Sequence, residues 1–226
     1  MLSITTTDEL RIAYPGAMLG FLEVSQVEIV TNPPALDEQK RWTENLLRTR
    51  YAGFTRHDFL SLPIMAAYDK YYRRFGKTYH VLQQLESIVQ KGKNLPNVSP
   101  LVDANFIAEV ETLVLTAGHD VEKLRGDILM DVGREGDQFV QMSGSHKTML
   151  VGDMLMRDRH GVCCTIIYGQ DNISPISPVS SHVLYMAYAP QGVTLTQVNG
   201  QLQRIMEYIQ LFSPEVAVEQ QQVLLL

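Results

Sequence analysis

The hydrophobic period of this chain switches once, at Gly118, and that switch limits the folds open to it. From Asp37 to Val114 apolar side chains recur at helical spacing, whereas from Asp127 to Ala189 they form short β-type runs separated by glycine, aspartate and proline. A repeat of about 3.6 residues gives a helix one apolar stripe, and a repeat of about two gives a strand one apolar face, so each half of the chain needs the other to cover it. Four helices are expected before the switch. The first, Asp37 to Arg50, carries Trp42, Leu46 and Leu47. The second starts near Arg56, spaces Met65, Tyr68, Tyr72 and Phe75 along one face and ends at Gly76. The third covers Tyr79 to Gln90 with Gly92 as its stop. The fourth opens on Pro100 and runs through Leu101, Val102, Phe106, Val110, Leu113 and Val114 to Ala117-Gly118. One strand, Leu19 to Val30, precedes the helices and is closed by Asn32-Pro33-Pro34. Five follow the switch, at Asp127 to Val132, Gln138 to Met142, Thr148 to Met156, Val162 to Tyr168 and His182 to Ala189, before a last helix from Thr194 to Phe212. Helices, then consecutive strands, then a helix predict an α+β fold with a largely antiparallel or mixed sheet covered by helices. There is no internal repeat or low-complexity tract, so residues 1–226 read as one domain.

Composition narrows the function classes. With 45% hydrophobic and 19% charged residues the sequence is that of an ordinary folded protein. No apolar run approaches the roughly 18 to 20 residues of a membrane helix, and Met1 to Ile12 lacks the regions of a secretory signal, so no membrane partner and a cytoplasmic location are expected. A net charge of -6 disfavours duplex DNA and makes any RNA contact local, weak and salt-sensitive. Cys163 and Cys164 are adjacent, which suits neither a disulfide between them nor a zinc site, and they read as reduced thiols buried in a strand. No phosphate loop, dinucleotide fingerprint or paired-histidine metal motif occurs, so no cofactor and no metal are expected. Ser143-Gly144-Ser145-His146 lies between two expected strands and reads as a hairpin turn.

Polar residues at the ends of elements remain as candidates. Asp103 and Asn105 flank Ala104 near the start of the fourth helix, where a side chain can cap the backbone or face a pocket. His119-Asp120 is expected just past that helix, where an imidazolium suits the helix dipole and Asp120 can orient the ring. Gln170-Asp171-Asn172 opens a polar connection between two strands, a common place for the rim of a site. Lys70, Arg73, Arg74 and Lys77 are interleaved with Tyr71, Tyr72 and Phe75; the pattern suits a phosphate backbone with stacked bases, and equally a helix that buries its rings and solvates its charges.

Taken in order, Tyr72-Arg73-Arg74-Phe75-Gly76-Lys77, Leu95-Pro96, Leu101-Val102-Asp103-Ala104-Asn105, Gly118-His119-Asp120, Gly126-Asp127-Ile128-Leu129, Gly136-Asp137 and Gly152-Asp153 resemble the B3/B4 domain of the phenylalanyl-tRNA synthetase β subunit in its freestanding form. The resemblance covers roughly Arg56 to Pro190. It implies an editing-type domain that hydrolyses the ester of an amino acid wrongly attached to tRNA, and it does not imply ligase activity. By the same resemblance Asp103, Ala104 and Asn105 line the pocket, with Ala104 standing where the synthetase domain has threonine. His119 stands about two residues from the place of the family's pocket histidine, next to the matched Asp120. No acidic residue occupies His182 to Tyr188, where the family reads a tyrosine hydroxyl, and the arginines expected near Asp131 and near Asp171-Asn172 are absent. A pocket that has lost such partners implies a different amino acid or ligand.

Three functions follow. The first is an aminoacyl-tRNA deacylase acting in trans, with Asn105 orienting and His119 as base, Asp103, Ala104, Asp120, Asp171 and Asn172 around the substrate, and Lys70, Arg73, Arg74 and Lys77 steering tRNA. The second is a non-catalytic module that binds RNA, aminoacyl-tRNA or a small amino-acid-like ligand. The third is an interaction protein in which the apolar tail Val223-Leu224-Leu225-Leu226 packs against something.

Overall fold

A computed structural model describes residues 2–226. The chain begins with β1 (Ile4–Thr6), α1 (Asp8–Ala13) and β2 (Met18–Ser25). Five helices follow: α2 (Pro34–Arg50), α3 (Arg56–Leu60), α4 (Pro63–Arg73), α5 (His80–Val89) and α6 (Pro100–Thr112). The strand-rich half contains β3 (Thr116–Asp120), β4 (Ile128–Val132), β5 (Gln138–Val140), β6 (His146–Thr148), β7 (Met154–Asp158), β8 (Gly161–Thr165), β9 (Gly169–Gln170) and β10 (Val183–Ala189). The chain closes with α7 (Leu195–Gln210) and β11 (Ala217–Leu225). The fold is α+β, as the periodicity predicts.

The strands form two main sheets and a hairpin. One sheet is antiparallel with order β11-β2-β10-β3. The other, β1-β4-β7-β8-β9, is mixed because β1 lies parallel to β4. The β5-β6 hairpin turns through Ser143-Gly144-Ser145, where the hairpin was expected. Strand β10 is buried along its whole length. Alternation sends Tyr185 and Tyr188 to opposite faces: the Tyr185 hydroxyl donates to Leu101 O of α6 at 2.9 Å, and Tyr188 points towards β8. On the α7 side Gly20 of β2 lets the helix close in, since a Cβ there would stand 2.5 Å from Val198 Cγ1.

Several boundaries differ from the periodicity, each for a physical reason. The first strand stops at Ser25, because Gln26 takes a φ of 57°, and Ile29 is exposed rather than paired. The expected second helix is two, since Pro63 has no N–H to continue α3 and opens α4 in its first turn. In α2 the buried side is Leu36, Lys40, Thr43, Glu44 and Leu47, and Trp42 faces out at 56% exposure. The expected fourth helix ends at Thr112, with Leu113 at φ 65°, so Ala117 and Gly118 belong to β3 rather than to a helix stop. Gly118 is there for space: a Cβ would meet Ile176 Cδ1 at 2.6 Å and the Tyr185 ring at 3.0 Å. Thr148 to Met156 is not one strand, because the chain turns at Gly152 with φ 84° before β7 begins. The apolar tail is neither frayed nor free, since Leu224 and Leu225 pair with Leu19 and Met18 at the end of β11.

Candidate active-site cavity

A cavity of about 640 Å³ lies where α5, α6, β3, β8 and the end of β10 meet, with the β5-β6 turn at its rim. Its walls are largely apolar: Phe106, Leu115, Ala117, Ile166, Ile167 and Met142. Polar groups come from His80, Glu109, Thr116, Gln141, Cys164, Gln170 and Tyr188. A large apolar hollow with few convergent polar groups is the usual form of a small-molecule site.

Glu109 sits on the last full turn of α6 and is 2% exposed. Its Oε1 accepts the Thr116 backbone N–H at 3.0 Å, which ties the end of α6 to the start of β3. Burial lifts its carboxyl to about 8, so at neutral pH it is mostly the protonated acid. Its Oε2 lies 4.0 Å from Nε2 of His80, the first residue of α5. His80 stands at the mouth, with its side chain 45% exposed, and its pKa is lowered by the loss of surrounding water. Both shifts favour neutral forms, so the two face each other as acid and imidazole rather than as an ion pair. The ring is oriented by Tyr72. That hydroxyl donates to Ile166 O at 3.0 Å and also lies 3.2 Å from His80 Nδ1. With the Tyr72 proton on Ile166 O, Nδ1–H donates to the phenol oxygen and Nε2 carries its lone pair on the side of Glu109. Cys164 is buried beside them, and desolvation raises its thiol to about 12, so it is no nucleophile in this state.

The residues singled out from sequence lie mostly elsewhere. Asp103 is paired with the fully buried Lys40 at 2.6 Å and accepts the Val98 N–H at 3.0 Å; Lys40 also donates to Asn97 Oδ1 and Pro96 O. Ala104 is wholly in the core. Asn105 Nδ2 donates to Thr116 O at 3.0 Å, while Gln201 of α7 reaches both Asn105 and Thr116. His119 is not beyond a helix end but inside β3 and 0% exposed. Its Nδ1 is 2.7 Å from Ser174 Oγ, which donates to Asp171 Oδ1 at 2.6 Å, and burial pushes the ring down to about 3, so it is neutral. The expected imidazolium at a helix dipole is therefore absent. Asp120 accepts from Ser180 at 2.6 Å and lies 3.3 Å from Lys123 Nζ. Asn172 is exposed, its N–H bonded to Val140 O. Asn105, bonded to β3, and His119, within it, thus do not reach the cavity wall, and Asp103 and Asn172 stand apart from it.

Along α4 the rings and charges separate. Tyr71 and Tyr72 are buried and Phe75 half-buried, while Lys70, Arg73, Arg74 and Lys77 are exposed. Arg73 pairs with Asp69 at 2.6 Å. Lys70 and Arg74, one turn apart, border a smaller hollow of about 120 Å³, and the Arg74 guanidinium lies 5.0 Å from the Tyr14 ring centroid. Sequence reasoning missed Glu109, His80 and Tyr188. Glu109 in an otherwise apolar stretch of helix was the available signal, since a buried carboxyl needs a reason.

Among the described residues no group of three or more His, Cys, Asp and Glu side chains is placed to hold a metal, and no helix is long and apolar enough to cross a membrane. No family model matches the chain, and no curated protein matches it. Among solved structures the chain is similar to an N-terminal fragment of the phenylalanyl-tRNA synthetase β subunit from Pyrococcus horikoshii. The identity is 10% and the TM-score 0.47, over 98% of this chain and 50% of that one, so the chain spans about half of that fragment.

Proposed function

We propose that the cavity receives the aminoacyl end of a charged tRNA and that the chain hydrolyses its ester in trans, as a freestanding relative of the B3/B4 editing domain. The observation that carries this reading is His80 facing Glu109 at 4.0 Å on the wall of a largely apolar cavity. The ordered motifs from Tyr72 to Asp153 supply the tRNA half of the reading; the chemistry belongs to the pair. His80 Nε2 takes a proton from water as the water oxygen bonds to the ester carbonyl carbon. The protonated Glu109 donates to the oxygen that becomes negative, and the ester C–O bond then breaks as the imidazolium returns its proton to the departing ribose hydroxyl. Asn105 is a positioning residue in this scheme, since it holds Thr116, whose N–H fixes Glu109. Lys70 and Arg74 offer charge to the RNA backbone, and Lys77 extends that surface. The ligand's amino-acid side chain lies against Phe106, Ile166 and Ile167.

The test is ester loss from a panel of correctly and incorrectly charged tRNAs above the spontaneous rate. Selective hydrolysis that falls about 100-fold or more in His80→Ala supports the reading. A second reading, ligand binding without turnover, is favoured by Glu109 being an acid rather than a base at neutral pH. It predicts thermal stabilisation by an aminoacyl-nucleoside with no hydrolysis anywhere in the panel.

A further inference from the structure

Tyr188 is buried and its backbone is fully bonded, yet its hydroxyl finds no hydrogen-bond partner among the described residues beyond the weak Cys164 thiol. Its backbone is fixed on both sides: Tyr188 N–H donates to Leu115 O at 3.0 Å, and Tyr188 O accepts the Tyr68 hydroxyl at 2.7 Å. The residue is 1% exposed and belongs to the wall of the large cavity. Its polar neighbour there is the Cys164 thiol, a weak donor and acceptor that lies 3.7 Å from Thr165 O. A buried hydroxyl without a partner is costly, and proteins keep few of them without a reason. Among the described residues the other buried side-chain atoms in this condition, on Gln84, Ser99 and His119, do not line this cavity.

The surrounding chemistry restricts what could complete it. Thr116 Oγ1 accepts from Gln201, and Glu109 Oε1 accepts from Thr116 N–H. The rest of the lining includes Leu115, Cys164, Thr165, Ile166 and Gln170 and contains no lysine or arginine. An anionic tip would be buried with no lysine or arginine to meet it, whereas a neutral group that both donates and accepts would satisfy the phenol.

We infer that Tyr188 is the specificity-determining residue of this cavity and that its hydroxyl selects ligands whose buried end carries a neutral hydroxyl or carboxamide over their hydrocarbon counterparts. The inference deepens the aminoacyl reading, because in that reading the buried end is the amino-acid side chain. It assigns the discrimination to β10 rather than to the catalytic pair.

The experiment uses the full chain and its Tyr188→Phe variant, which removes one oxygen and no more than its weak contact with the Cys164 thiol, and is expected to be about as heat-stable as the parent. Two probe sets are titrated and followed by amide chemical shifts. The first is p-cresol against toluene and butyramide against 2-methylpentane, small molecules that need no ribose. The second is 3′-aminoacylamino-3′-deoxyadenosines carrying threonine against valine and glutamine against methionine. The parent is expected to prefer the member with the hydroxyl or carboxamide by about three- to tenfold, and Tyr188→Phe to lose that preference while still binding the apolar member. A preference that survives in Tyr188→Phe, or a parent with none, overturns the inference. If the small probes show the Tyr188-dependent preference and no nucleoside binds, the inference stands and the aminoacyl reading fails. If the nucleosides bind without any Tyr188-dependent preference, the reverse holds. Failure of every probe to bind overturns both.

Discussion

The two ends of α6 carry polar side chains of the same kinds in opposite states. At its start Asp103 and Asn105 are completed by protein: Lys40 and Val98 N–H for the first, Thr116 O and Gln201 for the second. At its end Glu109 uses one oxygen to hold Thr116 and turns the other towards His80 and the cavity. Polar groups that complete one another specify packing, and groups left with spare hydrogen-bonding capacity at a hollow are available for a ligand. Tyr188 adds to the second group, since its hydroxyl lines the same hollow with only the Cys164 thiol beside it.

The sharpest way to break the comparison is at Lys40. Lys40→Met leaves Asp103 buried with no counter-charge, and unfolding in urea should show a loss of about 3–5 kcal/mol. Lys40→Met combined with Asp103→Leu should recover much of that loss, and a double variant no more stable than the single one would mean that the pair contributes more than charge compensation. Next in size is Asn105→Ala, which strips Thr116 O of its donor. It should cost about 1–3 kcal/mol while changing affinity for an aminoacyl-nucleoside little; a lost affinity at unchanged stability would move the ligand to the start of the helix.

Glu109 gives a pH signature. Its folded pKa of about 8 stands above the ordinary 4.5, so between those values the unfolded chain has released a proton that the folded chain retains, and this group makes folding less favourable as pH rises. Relative to Glu109→Gln, the parent should therefore lose about 1.4 kcal/mol per pH unit inside that window and stay level outside it. Parallel stability curves for the two proteins across pH 5 to 8 would show that Glu109 ionises normally. The smallest effect is at the surface. Lys70→Glu with Arg74→Glu should leave stability within about 0.5 kcal/mol and reduce the salt slope of RNA binding by about two. Arg73→Glu, whose charge already meets Asp69, should reduce it less.

Much of the architecture was legible from periodicity alone. Pro100 marked the start of α6, Gly76 and Gly92 marked the ends of α4 and α5, and the β5-β6 turn and the buried cysteines were read correctly. What misled was chemistry without partners. Gly118 looked like a helix stop because glycine serves both there and where a side chain has no room, and only the neighbouring Ile176 and Tyr185 distinguish the two. Trp42 looked like core because it falls at helical spacing with Leu46 and Leu47, yet the buried side of α2 includes Lys40, which is completed by Asp103 63 residues away in sequence. The cavity wall was illegible for the same reason. His80, Glu109 and Tyr188 come from three elements with no shared spacing, and the condition that marks Tyr188, an absent partner, has no signature in a linear sequence.

The central claim is that ligand recognition belongs to the cavity wall and not to the completed polar groups beside it. Residue-specific amide and side-chain shifts of the isotope-labelled full chain, titrated with a non-hydrolysable aminoacyl-adenosine, test it most directly. The account predicts that the perturbed residues cluster on His80, Glu109, Thr116, Cys164 and Tyr188. Perturbations centred instead on Asp120, Asp171 and Asn172, with the cavity wall unmoved, would contradict it.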